Sequence, residues 1–378
     1  MKLGIYVHIP FCNSKCYYCD FCSTCNAEEE LVREYVNCVI QEIICSAEIL
    51  AENEVDSIYI GGGTPSAINP QYIQDILQVI HSCTAVSDDA EVTIEINPES
   101  VTKEKLKVYR EAGINRISMG LQTSDNNILK NIGRKSTVEM FEKAYNEVIT
   151  AGFTNISVDV ICGLPGDNIA NFKKTIDYVL KLPKLKHISS YSLEVHENTK
   201  LDFLIQNEFL TLPTSDEERD MKHMLDEATI NNGFDMYEIS NYAKAGYTAK
   251  HNMKYWSGEY YLGFGAAASS YINSTRFTNV RDVEKYIEGV KARNLQKEDV
   301  EEMDLLDLEK EFVILGLRKN DGISKLDFES KFKINIYDLF GNEIKKCIDN
   351  GLLVDNGERL YLSKRGQDVA NIVWQEFI

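Results

Sequence analysis

Cys12-Asn13-Ser14-Lys15-Cys16-Tyr17-Tyr18-Cys19 sets three cysteines in the spacing C-x₃-C-x₂-C. Thiolates so spaced can wrap one face of a cubane cluster and hold three of its four irons. The fourth iron then lacks a protein ligand, and an open metal position is where a small molecule binds and reacts. The alternative is a structural zinc knuckle. Zinc sites of that kind take four ligands, usually as paired C-x₂-C or mixed Cys/His sets. Only Cys22 and Cys25 lie near enough in the chain to complete one.

Working outward, the cysteines directly follow an apolar run, LGIYVHI at 3–9. Five more such runs follow at 55–60, 91–97, 115–119, 155–161 and 187–193, and they read as buried strands. Helical patterns lie between them at 30–50, 70–82, 102–112, 137–151 and 169–181. Alternating strands and helices predict a parallel sheet with right-handed crossovers, two units short of a full (β/α)₈ barrel. Polar motifs gather where these strands end. They are the cysteines, Gly61-Gly62-Gly63-Thr64-Pro65, Glu95 with Asn97, Gln122, and Asp159 before Gly163-Leu164-Pro165-Gly166. Barrel enzymes build their active sites at that end. Three consecutive glycines exceed what a plain βα turn needs and let backbone amides approach a ligand. Glu95 and Asp159 can accept hydrogen bonds from hydroxyls or an ammonium group. Taken singly, each of these carboxylates would read as a solvated surface group.

The cysteine spacing resembles the signature of radical S-adenosylmethionine (SAM) proteins. That resemblance implies an α/β fold with a partial, open (β/α)₆ barrel. It also implies a 4Fe–4S cluster on Cys12, Cys16 and Cys19, whose open iron chelates the amino and carboxylate groups of SAM. Electron transfer from the cluster would split SAM into methionine and a 5′-deoxyadenosyl radical. Tyr6-Val7-His8-Ile9-Pro10-Phe11-Cys12, Glu95-Ile96-Asn97-Pro98-Glu99, Arg116-Ile117-Ser118-Met119-Gly120-Leu121-Gln122 and Asp159-Val160-Ile161-Cys162 narrow the likeness further. They resemble the oxygen-independent coproporphyrinogen III oxidase family nearly end to end. Carried over, Tyr6, Gly62, Gly63, Thr64, Glu95, Gln122, Arg134 and Asp159 are expected to line the SAM site. Tyr18 is expected to pack beside it, Arg134 to pair with the SAM carboxylate, and the run 263–268 to close over the adenine side. Where the family often has histidine two residues after the arginine, this chain has Ser136.

That family contains decarboxylating oxidases and HemW-type haem chaperones, and three features resemble the chaperones. Only five residues precede Tyr6, whereas the oxidases carry an N-terminal extension. Phe21 stands two after Cys19, where the oxidases have a fourth cysteine. His251-Asn252-Met253-Lys254-Tyr255-Trp256 matches the H-N-x-x-Y-W pattern of the chaperones. Imidazole is a common axial ligand of haem iron, so the resemblance makes His251 the candidate haem ligand. From residue types alone the same string reads as a loop histidine beside a Tyr–Trp pair in the core. The implied partners are haem, SAM, a haem-acceptor protein and an electron donor such as a flavodoxin or ferredoxin. The rival readings are an oxidase that decarboxylates two propionates of coproporphyrinogen III, and a radical SAM methyltransferase.

Bulk properties fit a cytoplasmic protein. With 40 Lys and Arg against 59 Asp and Glu, the net charge is −19, which repels nucleic acid and anionic membranes. No apolar run reaches the length of a membrane span and the N-terminus lacks a signal peptide, so no stable membrane insertion is expected. Ten cysteines without an export signal point to a reducing compartment and metal chemistry. Residues 1–296 are expected to hold the barrel, with a family-specific extension over about 196–296. Residues 297–378 read as a separate winged-helix-like α+β module. Its helices fall near 308–318, 324–332 and 337–350, and an apolar hairpin turns at Asn356-Gly357. No basic recognition helix appears in it, so packing or a protein partner is its expected role.

Overall fold

The computed structural model describes residues 2–378. Six parallel strands stand side by side in chain order: β1 (Lys2–Ile9), β2 (Glu54–Gly62), β3 (Ala85–Ile96), β4 (Arg116–Gln122), β5 (Asn155–Cys162) and β6 (Leu185–Ser192). Each overlaps one of the apolar runs, and the alternation along them has a physical cause. Leu3, Ile5, Val7, Ile58, Ile60, Ile94, Ile117, Met119, Val158 and Ile188 belong to the large apolar core. The residues between them turn inward and are mostly polar or small. Ser57, Thr93, Arg116, Ser118, Ser157 and His187 are all buried on that inner side.

Helices Pro70–Cys83, Lys103–Glu111, Val138–Thr150 and Ile169–Val179 make the crossovers close to where the periodicity places them. Side chains of Asn69, Thr102, Thr137 and Asn168 cap their first turns, which fixes where each helix begins. The single helix expected over 30–50 is two, Glu29–Cys45 and Ala47–Ala51. The break falls at Ser46, whose hydroxyl donates back to the carbonyl of Glu42 at 3.0 Å.

The sheet extends beyond the six strands on both sides. β7 (Asp235–Glu238) and β8 (Asn241–Ala243) form a hairpin laid antiparallel on β6. β9 (Tyr261–Phe264) joins β1 in parallel, and β10 (Ser269–Ile272), β11 (Thr275–Asn279) and β12 (Lys297–Glu302) follow antiparallel. In the order β12-β11-β10-β9-β1-β2-β3-β4-β5-β6-β8-β7 the first and last strands do not pair with each other, so the barrel stays open. Residues 297–302, assigned from the sequence to the C-terminal module, instead form the edge strand β12 of this sheet. The segment is almost wholly charged and exposed, which suits an edge and hides a strand from hydropathy.

Helix Lys250–Trp256 plugs the barrel at the end where the strands begin. Its cap, Ala249, has no side chain to satisfy the first turn. The Glu91 carboxylate reaches across from β3 instead and accepts from the amides of Lys250 and His251, at 3.1 and 3.2 Å. Gly4 leaves room for the plug, since a Cβ there would lie 2.9 Å from Cδ of Lys254. The opposite end, where the strands terminate, is open.

The C-terminal module has helices Leu305–Gly316, Lys325–Phe332 and Ile336–Asp349 and strands β13 (Ile323–Ser324), β14 (Leu353–Asp355) and β15 (Arg359–Leu362), ordered β13-β15-β14. The expected hairpin is β14–β15, turning through Gly357 at φ +97°. Val313, Phe328, Phe340, Ile344 and Leu362 lie in a core of their own. No described helix is long and apolar enough to cross a membrane.

Candidate functional site

A cavity of about 550 Å³ occupies the open end of the barrel. Cys12, Cys16, Cys19, Tyr18, Gly62, Gly63, Thr64, Glu95, Gln122, Arg134 and Asp159 all line it. Residues spread over some 150 positions of sequence thus meet on one wall, because consecutive parallel strands present their carboxyl ends together.

The cysteines lie on the loop leaving β1. Its start is fixed by a short parallel pairing in which Phe11 and Cys12 stand opposite Thr24 and Cys25. All three are free thiols. Burial raises the Cys12 thiol above its usual range and pushes Cys19 up to about 11. Iron must therefore displace protons to bind here. The three sulfurs line one cavity, and soft thiolate donors at this spacing fit a cubane that takes each on a different iron. Thr64 Oγ1 donates to Sγ of Cys12 at 3.5 Å and Arg134 donates to Sγ of Cys16 at 3.7 Å, contacts that favour the sulfurs' negative charge.

Arg134 is held from several sides. It donates to Asn97 Oδ1 at 2.7 Å, to the Gly120 carbonyl at 3.1 Å and, through Nε, to Ser136 Oγ at 3.2 Å. Ser136, the apparent departure from the family pattern, therefore fixes the arginine. Asn97 in turn donates to Thr64 Oγ1 at 3.0 Å, tying the ends of β2 and β3 together. Gln122 is aimed by backbone irregularity. The β4–β5 register slips between Gly120 and Gln122, and Gln122 sits at φ +70°.

Glu95 accepts from Tyr59 Oη at 2.7 Å and from the Gly62 amide at 3.2 Å. Burial, reinforced by the nearby Asp159 carboxylate, pushes it up to about 7. Asp159 is raised as well, mainly by burial, and accepts from Ser118 Oγ at 3.0 Å. The two carboxylates are poised to receive hydrogen bonds from cationic or hydroxyl groups of a ligand.

The glycine run works differently from the sequence expectation. The Gly63 amide donates to the Ile9 carbonyl at 2.9 Å and the Thr64 amide to the Phe11 carbonyl at 2.8 Å. With Gly62 on Glu95, these amides are already engaged. The glycines permit close packing on β1 instead. A Cβ at Gly63 would sit 2.9 Å from the Ile9 carbonyl oxygen, and one at Gly62, where φ is +108°, 2.5 Å from the His8 ring.

Two expectations land elsewhere. Tyr6 lies below the cavity wall in an aromatic layer, 6.3 Å from the Tyr59 ring centroid, with its hydroxyl on His8 Nδ1 at 3.0 Å. The run 263–268 is absorbed by structure. The Gly265 amide donates to the buried Glu42 carboxylate and the Ala266 amide to Tyr35 Oη, both at 2.9 Å.

His251 sits in the barrel floor, 1 % exposed. Its Nδ1 meets Ser57 Oγ at 3.0 Å and its Nε2 meets Tyr255 Oη at 2.8 Å. Its ring stacks on Tyr59 at 5.4 Å. Burial, then Lys254 and Arg116, press its pKa down to about 3, so the imidazole is neutral. With both nitrogens engaged inside the plug, it offers no free lone pair to haem iron. Trp256 also faces away from the cavity, against Arg318 of the C-terminal module at 4.2 Å.

Asn97 was placed at its strand end without a role, and Tyr59 and Ser118 were not among the expected site residues. Each stands two or four positions before or after one that was, so the strand period of two was the available signal. Tyr191, Leu193 and His196, which line the outer part of the cavity, carried no such signal.

Residues 6–179 match the family described as the radical SAM superfamily, and residues 303–369 match the HemN C-terminal domain. A protein named haem chaperone HemW from Bacillus subtilis (strain 168) is 36 % identical over 99 % of this chain and 98 % of its own. One of the same name from Lactococcus lactis subsp. lactis (strain IL1403) is 33 % identical over 99 % of this chain and 96 % of its own. Among solved structures, the radical SAM enzyme coproporphyrinogen III oxidase (HemN) from Escherichia coli superposes with a TM-score of 0.86. It covers 99 % of this chain and 89 % of its own at 22 % identity, a likeness of fold.

Proposed function

The chain belongs to the radical SAM superfamily, in the branch of the proteins named haem chaperone HemW, and from that premise we propose that it carries a 4Fe–4S cluster and SAM, binds haem and delivers it to an acceptor protein. Cys12, Cys16 and Cys19 hold the cluster. Arg134, fixed by Asn97 and Ser136, faces the carboxylate of SAM, and Glu95, Asp159 and Gln122 face its hydroxyl and ammonium groups. When bound, the pair supplies one-electron chemistry at the open iron. Around it the chain's own residues bind, orient and keep charge balanced. Arg134 offsets thiolate charge at Cys16, and Glu95, with a pKa of about 7, is free to exist in either protonation state near neutrality.

The observation that favours a chaperone over an oxidase is identity of 36 % along the whole chain to a protein of that name. The experiment offers both substrates to anaerobically reconstituted protein, first checked to hold about four irons per chain. Haem is expected to give a shifted Soret band. Coproporphyrinogen III with SAM and a reductant is expected to yield no protoporphyrinogen. Cys16→Ala should abolish the cluster's brown absorption and Cys22→Ala should leave it. Sustained decarboxylation at an ordinary enzymatic rate would replace the chaperone reading with the oxidase.

A further inference from the structure

We propose that the outer face of the cysteine loop, around Tyr17, docks a small acidic electron-transfer protein that reduces the cluster; the inference rests on the cluster assignment above. The loop has two faces. Ser14, Cys16, Tyr18 and Cys19 line the cavity, and Tyr17 does not. The Tyr17 amide donates to the Ile132 carbonyl at 2.9 Å, and its carbonyl accepts from the Leu201 amide at 2.8 Å. Its ring lies against Gly133, where a Cβ would come 2.4 Å from Cδ1 of the tyrosine. The end of helix Asn126–Asn131 and the start of helix Lys200–Gln206 therefore meet at the back of the loop, one residue from Cys16. The cavity side is where SAM would sit, so a donor coming from that side would have to displace it. The back is open while the cavity is filled.

The charge at this face is the reverse of the chain's. Lys200 Nζ stands 3.8 Å from the centroid of the Tyr17 ring. Lys130 lies in the last turn of helix Asn126–Asn131, and Lys135 follows Gly133 by two residues. All three lysines are exposed. None of the three pairs with a carboxylate among the described residues, whereas Lys107, Lys173 and Lys345 on other helices do. Asp202, the carboxylate nearest to Lys200 in sequence, is engaged by the Asn198 amide at 3.2 Å and the Gln206 side chain at 2.8 Å. Residues 126–136 contain no Asp or Glu, and neither do residues 12–19.

In a chain of net charge −19 such a patch selects its partner. The acidic remainder repels an acidic protein, and the three lysines attract it to one place, which raises the rate of productive encounter. The reaction at this face is the passage of one electron from donor to cluster, with no bond made or broken.

The test follows cluster reduction by loss of visible absorption, in anaerobically reconstituted full-length protein, with reduced flavodoxin as the acidic donor and dithionite for comparison. Lys130→Glu/Lys135→Glu/Lys200→Glu should slow reduction by flavodoxin about tenfold or more at low salt, within the range that electrostatic steering supplies. Reduction by dithionite should stay near the wild-type rate, because it needs no docking face. High salt should erase the difference between variant and wild type with flavodoxin. Lys103→Glu/Lys143→Glu/Lys174→Glu makes the same change in net charge at exposed positions of the crossover helices, and should leave the flavodoxin rate near wild type. Equal flavodoxin rates for wild type and the Tyr17-face variant would overturn the proposal. So would equal slowing by the two triple variants, or a wild type reduced by dithionite and not by flavodoxin. If the Tyr17-face variant loads no cluster, Lys135→Glu and Lys200→Glu singly carry the same comparison. A wild type that takes up no iron would instead remove the cluster assignment itself.

Discussion

Glu95 holds the clearest residue-level consequence of building a polar site inside a barrel. Its carboxyl is raised to about 7, from an ordinary value of 4.5, chiefly by burial. The folded state therefore holds a proton there that the unfolded chain has released, between pH 4.5 and 7. Its contribution to stability is largest at the acid end of that window and falls as pH rises through 7. Glu95→Gln mimics the protonated form at every pH. Wild type should lose melting temperature relative to Glu95→Gln as pH goes from 5 to 8, in melts of cluster-free protein. A gap between the two that does not change with pH would show the carboxyl to be unshifted. The strand end at 95 was legible as a site position from its place after an apolar run. The raised pKa was not, because it comes first from burial that only the assembled wall creates, and then from Asp159, sixty-four positions later.

At the scale of elements, the plug helix Lys250–Trp256 decides the fate of the most suggestive string in the sequence. Arg116 is 2 % exposed, and its Nε lies 3.9 Å from Glu91, the residue that also caps this helix. Removing Glu91 strands a buried guanidinium and uncaps the plug together. Breaking one side of a buried pair costs about 3–5 kcal/mol. Glu91→Ala should lower the unfolding free energy in urea by that order, and Glu91→Gln, which keeps an acceptor for the helix amides, by less. Equal stability of Glu91→Ala and wild type would mean that the plug is held by packing alone. The sequence announced H-N-x-x-Y-W as chemistry, but could not say which way it faces. Its orientation depends on Glu91, Ser57 and Gly4, all far away in the chain.

For the whole molecule, the C-terminal module docks through a sandwich that the sequence did not suggest. The Arg318 guanidinium lies between Trp256, at 4.2 Å, and Trp374, at 4.9 Å. Backbone hydrogen bonds join Ile239 to Arg318 and Asn320 to Tyr237. The H-N-x-x-Y-W segment therefore links barrel floor and module at once, with His251 on one side and Trp256 on the other. A desolvated cation–π contact is worth about 2 kcal/mol. Trp374→Ala should speed hydrogen exchange in helix Leu305–Gly316 while leaving the iron–sulfur absorption intact. Unchanged exchange there would show that the backbone pairing suffices.

The sequence by itself determined the repeated strand–helix order, the strand ends and the thiolate spacing. Each of these is local: apolar period, caps, turn residues and short-range cysteine geometry act within a few residues of chain. Tertiary structure decided what those positions do. Lys297–Glu302 becomes a sheet edge only because Thr275–Asn279 lies beside it. The amides of Gly62, Gly63 and Thr64 are taken by Glu95, Ile9 and Phe11, so they are not free for a ligand. His251 and His196 are indistinguishable as letters. One is buried with both nitrogens satisfied and the other opens onto the cavity, because burial and hydrogen bonding are set by neighbours the chain brings together only on folding.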